Sequence, residues 1–212
     1  CGILLVGLLV FLPAGTLSFF GGWLFIGTLF IPIFILGIVM MFKNPYLLRK
    51  RLDAKEKQGE QSLVIKLSAL MFLAGFLAAG LNYRFSWQIL PTGVSIGAAV
   101  VFLTAYLLYA EVLRENTYLS RTIEVQENQK VTDTGLYGIV RHPMYSVTLL
   151  LFLSMPLVLG SVYSFIIFLI YPFIIAKRIK HEEEFLEKEL KGYKEYKQKV
   201  KYRLIPYIMG DL

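Results

Sequence analysis

Long apolar stretches dominate the chain, and short polar stretches separate them. A helix that crosses the hydrocarbon core needs about 20 apolar residues. Four stretches reach that length: residues 2–20, 21–42, 63–81 and 94–113. We expect a break between the first two near Pro13 and Gly21-Gly22. Because these stretches lack the alternation of barrel strands, and open sheet edges cannot face lipid, helices are the spanning form.

The C-terminal part of the pattern predicts a hairpin and an amphipathic tail. The apolar stretch 145–176 is too long for one span, and Pro156 and Leu159-Gly160-Ser161 divide it into two shorter arms. We expect a tail helix from Ile179 to Val200, weakened or divided at Gly192. Apolar residues recur there at helical spacing among Lys and Glu, which suits a helix on a membrane surface: Leu186, Leu190, Tyr193 and Val200.

Composition supports a single helical membrane protein. Of 212 residues, 56% are hydrophobic and 17% are charged, whereas charged residues make up about a quarter of a soluble domain. We predict an all-α integral membrane protein of five to six transmembrane helices, including a tight C-terminal hairpin. Residues 1–113 are expected to form the N-terminal helices, and residues 114–212 the catalytic region. With Cys1 as the one cysteine and two histidines, no metal site is predicted.

The distribution of positive charge predicts the topology. Lys and Arg number six in residues 43–62, four in 114–144 and ten in 177–212, whereas the short intervening loops hold one, Arg84. Positive loops stay on the cytoplasmic side, so we predict that these segments and the catalytic face are cytoplasmic. The net charge of +7 is then explained by topology and anionic membrane lipid. It does not indicate a nucleic-acid partner.

Two polar clusters lie at predicted membrane boundaries. Residues 125–145 precede the hairpin, and residues 177–185 follow it. Because a tight hairpin returns to the side from which it started, both clusters should lie on one face. Polar and ionisable groups at membrane depth are costly and usually mark function. We therefore expect the functional site at this face.

The side chains in these clusters suit a zwitterionic ligand. Arg141 and His142 lie beside a predicted helix N-terminus, which favours an anion such as a carboxylate or phosphate. Glu182 shares a helix face with Arg178, four residues earlier. With Glu183 it could receive an ammonium group or ribose hydroxyls. A zwitterionic cofactor with an adenosine moiety would need this set.

Each feature alone has a simpler interpretation. Arg141 and His142 could contact lipid headgroups. The run Glu182-Glu183-Glu184 could be a solvated helix face. Tyr137 and Tyr145 could be ordinary interfacial aromatics. The ordered combination of these features, rather than any one of them, indicates a site.

From about residue 100 onward the chain resembles the isoprenylcysteine carboxyl methyltransferase family and its relatives among phospholipid methyltransferases. The resemblance rests on an ordered set of motifs and on a C-terminal block at 192–206: Gly135-Leu136-Tyr137, Arg141-His142-Pro143-Met144-Tyr145, the hairpin 146–176, Arg178 and Glu182-Glu183. It implies S-adenosylmethionine as the cofactor. The implied cofactor contacts are Gln126, Gln129, Lys130, Val131, Thr132, Tyr137, His142, Pro143, Met144, Tyr145 and Glu182.

The resemblance also implies roles in the reaction. Arg178 matches an arginine that engages the substrate or aids transfer. The choice among Glu182, Glu183 and Glu184 as the cofactor-binding carboxylate stays open, although the four-residue step from Arg178 favours Glu182. If the acceptor is an amine, Glu183 is the candidate base. We thus predict Arg178, Glu182 and Glu183 as the catalytic residues.

The predicted activity is carboxyl O-methylation of a prenylcysteine-like or other lipophilic acceptor that enters from the bilayer. A phospholipid N-methyltransferase would use the same cofactor on a different acceptor. A sterol-reductase-like enzyme using NADPH would also need Arg and acidic residues after a hairpin. A transporter would place charges inside the spans, which are nearly free of them.

Overall fold

The computed structural model describes residues 2–43, 45, 48–49, 59–116, 118–119 and 125–206. The described residues form helices and no strands, which confirms the predicted all-α class. The helices are α1 (Gly2–Ala14), α2 (Phe20–Lys43), α3 (Gly59–Arg84), α4 (Thr92–Glu115), α5 (Pro143–Val158), α6 (Val162–Phe168), α7 (Tyr171–Glu189) and α8 (Tyr193–Lys199). A short 3₁₀ turn, Gly135–Gly138, precedes α5.

Four helical segments of the described chain are long and apolar enough to cross a membrane: Phe20–Lys43, Leu63–Arg84, Thr92–Glu115 and Val162–Glu189. Two shorter apolar helices, α1 and α5, accompany them. At a rise of about 1.5 Å per residue, α1 spans only about 20 Å, less than a hydrocarbon core. The protein is thus a multi-pass membrane protein. The predicted division of the chain into N-terminal helices (1–113) and a catalytic region (114–212) stays a prediction.

The first predicted span was wrong in its bounds. Helix α1 ends at Ala14, where Gly15 adopts a φ of +68°, so residues 2–20 do not form one helix. Gly21 and Gly22 lie inside α2 rather than in the break. A Cβ at Gly21 would lie 2.9 Å from the Leu159 carbonyl oxygen. These glycines allow neighbouring segments to pack closely. A glycine pair in the sequence does not by itself show whether it serves such packing or ends a helix.

The hairpin is confirmed, with one additional break. Residues 159–161 reverse the chain between α5 and α6, and the Ser161 hydroxyl caps α6 by accepting from the Ser164 amide at 3.2 Å. A turn at residues 169–170 separates α6 from α7, which continues to Glu189. The tail helix predicted to begin at Ile179 is therefore the second part of α7, which begins at Tyr171. The predicted division at Gly192 is observed, and its φ is +88°.

Small residues and aromatic rings hold the bundle together. Lipid is as apolar as the helices, so close van der Waals packing rather than hydrophobic burial drives their association. A Cβ at Gly80 of α3 would lie 2.6 Å from the Val10 carbonyl oxygen of α1. A Cβ at Gly75 would lie 2.3 Å from the Phe168 ring. Helices α3, α5 and α7 meet in this bundle, and the loop before α5 and the tail after α7 cover their polar ends.

Candidate active site

A cavity of about 610 Å³ lies where α3, α5 and α7 meet the polar loop and tail. Its size falls within the range of roughly 300–1,000 Å³ of small-molecule sites. Most of the predicted site residues lie on its wall: Gln129, Lys130, Val131, Thr132, Tyr137, His142, Met144, Tyr145, Arg178 and Glu182. Three predicted residues do not line it: Gln126, Pro143 and Glu183.

The start of α5 is fixed by the C-terminal segment. Pro143 occupies the first helical position, where its missing N–H leaves no bond unmade. The backbone amides of Arg141 and His142 donate to the carbonyl oxygens of Tyr202 and Arg203, at 2.8 and 2.9 Å. Residues 200–204 thus hold the Arg-His pair in place from a site about 60 positions further along the chain.

A buried ion cluster surrounds Glu183. Its Oε1 accepts from Arg141 Nε at 2.8 Å and lies 3.1 Å from His142 Nε2. Its Oε2 lies 3.2 Å from Arg203 Nε and 3.8 Å from Lys197 Nζ. The Arg141 and Glu183 side chains are almost completely buried. Arg141, Arg203 and Lys197 thus surround the Glu183 carboxylate, and the cluster ties α7 to α5 and the tail.

A second group of polar side chains, linked by hydrogen bonds, faces the cavity. The Tyr145 hydroxyl accepts from Arg178 Nε at 2.8 Å and donates to Glu182 Oε2. Arg178 and Glu182 lie one turn apart on α7, as their four-residue spacing predicts. Tyr145 is therefore not a simple interfacial aromatic. It connects the guanidinium and the carboxylate on the cavity wall.

Three buried tyrosines form an aromatic part of the wall: Tyr137, Tyr193 and Tyr196. The Tyr196 hydroxyl donates to the Tyr137 carbonyl oxygen at 2.8 Å. Burial raises the pKa of Tyr193 and of Tyr196 well above the usual range, with nearby Glu183 adding to the effect at Tyr193. Both hydroxyls therefore stay neutral. Within the described part of the chain, the Tyr193 hydroxyl is buried without a hydrogen-bond partner.

The loop before α5 is shaped by its own hydrogen bonds. Gln126 Nε2 donates to the Tyr118 carbonyl oxygen at 2.5 Å, and the Gln126 amide donates to Gln129 Oε1 at 2.8 Å. Gln126 thus orders the segment whose next residues line the cavity. At the end of the loop, Lys199 Nζ donates to Asp133 Oδ2 at 2.7 Å, and this bond lowers the pKa of Asp133.

The Gly-x-Tyr motif has a steric cause. Gly135 adopts a φ of +51°, and a Cβ there would lie 1.3 Å from Glu115 Oε1. The same carboxylate accepts from the Leu136 amide at 2.9 Å through Oε2. Glycine is required because the Glu115 side chain at the end of α4 occupies the space. Glu115 therefore orients Tyr137, and sequence spacing alone did not identify it.

Several lining residues were missed at the sequence level. They come from the α3 face and from aromatic or polar positions elsewhere: Ser68, Phe72, Asn116, Thr148, Phe152, Tyr171, Tyr193 and Tyr196. Their types are common in membrane helices and interfaces. Only the spatial convergence of α3, α5, α7 and α8 distinguishes them. Tyr193 is the exception, because the sequence did offer a signal for it. The preceding Gly192 divides an amphipathic helix, which indicates that the chain changes direction there.

The comparisons agree with the earlier resemblance. Residues 90–192 match the family model described as phospholipid methyltransferase. A comparison with curated proteins gave no match. The matched segment includes the Arg-His-Pro-Met-Tyr motif, the hairpin and the hydrogen-bonded side chains of Arg178, Tyr145 and Glu182. Over this segment, slightly less than half of the chain, the protein is similar to phospholipid methyltransferases, and this similarity supports a membrane methyltransferase.

Proposed function

We propose that the protein transfers a methyl group from S-adenosylmethionine to the carboxylate of a lipophilic, prenylcysteine-like acceptor. One observation carries the proposal: Arg178 lies between the polar and the apolar parts of a single cavity. A lipid-borne carboxylate arriving from the bilayer would meet a guanidinium there. The acceptor's apolar part would meet hydrophobic side chains of α3, α5 and α7.

The wall chemistry suits S-adenosylmethionine. Glu182 would receive the ammonium or the ribose hydroxyls, and Lys130 would lie near the carboxylate. The Tyr193 hydroxyl, buried and without a partner in the described chain, has hydrogen-bonding capacity for a ligand. The faces of Tyr137 and Tyr196 supply aromatic surface, which stabilises a nearby cation by about 0.5–2 kcal/mol. When bound, the cofactor would supply an electrophilic methyl group on a sulfonium.

The protein residues would act by positioning. Arg178 can hold a carboxylate in two places through its planar guanidinium. Tyr145 fixes Arg178 through the hydrogen bond at 2.8 Å. A carboxylate acceptor needs no base, so alignment and water exclusion suffice, and proximity can lower a barrier by about 7–11 kcal/mol.

A phospholipid amine is the second candidate acceptor, because the description of the matched family names phospholipid methylation. An amine must lose a proton. Glu183, the sequence-based candidate base, lies in the ion cluster and off the cavity wall. Glu182 is the acidic side chain on the described part of the wall, so the role of base would pass to it. The surplus of cationic over acidic groups on this wall favours the carboxylate acceptor.

The experiment is methyl transfer from labelled S-adenosylmethionine by the purified protein. The acceptor panel comprises prenylcysteines, other hydrophobic acids and phosphatidylethanolamine. We expect methyl esters of the acids, recognised by release of volatile methanol in base. Base-stable label on phosphatidylethanolamine alone would establish the second candidate instead. Saturable binding of NADPH with no response to S-adenosylmethionine would contradict both.

The cytoplasmic placement of this face also belongs to the proposal. It is supported by the basic residues of segments 43–62, 114–144 and 177–212. Single cysteines placed at Lys55 or Glu195 in a Cys1→Ser background should resist labelling by an impermeant reagent in intact cells. Strong labelling from outside would reverse the topology.

A further inference from the structure

The cavity changes from polar to apolar along α5 and along α7. On α7, Glu182 and Arg178 give way to Ile175 and Tyr171, and on α5, Tyr145 gives way to Phe152. Helix α3 contributes one face, whose residues recur at helical spacing and are mostly apolar: Val64, Ile65, Ser68, Ala69 and Phe72. The charged groups therefore lie at one end and the rings of Phe72 and Phe152 at the other, with the Tyr171 hydroxyl donating to Thr148 Oγ1 at 3.2 Å towards the second end.

Phe72 and Phe152 close the apolar end. Their ring centroids are 4.8 Å apart in an edge-to-face arrangement. Behind Phe72 lies the fully buried ring of Phe168, with its centroid 5.4 Å away. Phe168 does not line the cavity, and its ring lies so close to α3 that Gly75 has no room for a Cβ. The cavity thus ends at the Phe72–Phe152 pair, which forms its floor.

The depth of the apolar part follows from helix geometry. Arg178 and Tyr171 are two turns apart on α7, and Tyr145 and Phe152 are two turns apart on α5. At a rise of about 1.5 Å per residue, both pairs place the floor about 10 Å beyond the Arg178–Tyr145 contact. An acceptor whose head group reaches Arg178 can therefore extend its apolar chain only about 10 Å before that chain meets the aromatic floor.

Much of this end lies outside the family match. Residues 90–192 contain Arg178, Glu182 and the walls from α5 and α7, whereas Phe72 and the rest of the α3 face lie before residue 90. Of the two rings that close the cavity, Phe152 thus lies in the segment that carries the methyltransferase resemblance, and Phe72 lies outside it.

We propose that Phe72 is a specificity-determining residue that limits the length of the apolar chain an acceptor can place in the cavity. This inference rests on the proposed function, because it takes the acceptor's head group to be at Arg178. Removing the Phe72 ring opens space towards the Phe168 ring. A larger ring at residue 72 shortens the cavity.

The test uses a series of S-alkyl thioether carboxylic acids that differ only in chain length. Turnover with S-adenosylmethionine and equilibrium binding by calorimetry in a non-ionic detergent are both measured. For the wild type, we expect kcat/KM and affinity to stop rising once the chain reaches the floor. In Phe72→Ala this limit should move to longer chains, with a gain of roughly fourfold per methylene newly accommodated. Phe72→Trp should move it to shorter chains.

Phe72→Leu is the milder variant should Phe72→Ala fold poorly, and it should shift the limit in the same direction by less. Phe102→Leu is the matched control, because Phe102 is buried in α4 off the cavity wall and should leave the limit unchanged. Turnover with the same chain-length limit in all Phe72 variants would overturn the inference and leave the proposed function standing. A shifted binding limit without methyl transfer would support the inference and contradict the proposed activity.

Discussion

Neighbouring residues on one helix belong to two different polar regions. Glu183 lies in the buried ion cluster with Arg141, His142 and Arg203, whereas Glu182 lies on the cavity wall with Tyr145. A step of one residue turns a helix by about 100°, so adjacent carboxylates face different surroundings. The comparison separates a charge that holds the tail against α5 from a charge that a ligand can reach.

The largest expected effect is at the ion cluster. Glu183→Gln removes the negative charge that compensates buried Arg141, and breaking a buried pair costs about 3–5 kcal/mol. We expect a strongly lowered unfolding temperature in detergent, with activity lost in parallel. Glu184→Gln, at an exposed position of the same helix, is the matched control and should change little. Normal stability with abolished turnover would make Glu183 a catalytic residue instead.

The next effect is on cofactor affinity. Glu182→Ala and His142→Ala each remove a polar group from the cavity wall, and a lost hydrogen bond to a charged group is worth about 1.5–3 kcal/mol. We expect affinity for S-adenosylmethionine to fall about tenfold or more in calorimetry. Because His142 also contacts Glu183, His142→Ala should lose stability as well, whereas Glu182→Ala should not. Equal affinity in wild type and both variants would contradict the assignment.

Substitutions of Arg178 should distinguish effects on the acceptor from effects on cofactor binding. Arg178→Ala is expected to leave cofactor affinity nearly intact and to lower kcat/KM for the acceptor. Arg178→Lys should restore little, because an ammonium lacks the bidentate geometry. Loss of cofactor binding in Arg178→Ala, with normal binding in His142→Ala, would reverse the roles assigned to the two regions.

The smallest effect is expected at the surface pair of Asp133 and Lys199, outside both regions. The folded-state pKa of Asp133 lies below its unfolded value because Lys199 donates to it. Its contribution to stability is therefore present above the unfolded pKa and is lost as pH falls through the folded pKa. Asp133→Asn should slightly reduce the acid dependence of unfolding and leave activity near neutral pH unchanged. A large loss of activity would show that this pair holds the cofactor loop in place.

Parts of the site could be predicted because their residues are close in sequence. Arg178 and Glu182 share a helix face by spacing alone, and Pro143 marks the start of α5. By contrast, Gln126 belongs to the same polar motif but bonds to Tyr118 rather than lining the cavity. A motif specifies which residues are near each other along the chain, and it does not specify which side of a loop each one faces.

The same distinction holds for the fold. The lengths of the apolar stretches determined an all-helical membrane protein, because every backbone group in lipid must bond within its own segment. They could not place the break between α1 and α2, since a glycine can end a helix, as Gly15 does, or allow close packing, as Gly21 does.

The sequence by itself determined the membrane class, the hairpin and the ordered motif of a methyltransferase, because these depend on local hydropathy and spacing. Tertiary structure alone decided that Glu183 is a buried partner of Arg141, that Glu115 imposes glycine at residue 135, and that Phe72 closes the cavity. Each of these depends on side chains brought together from distant segments. Such contacts depend on how the helices pack, and one sequence without that packing does not specify them.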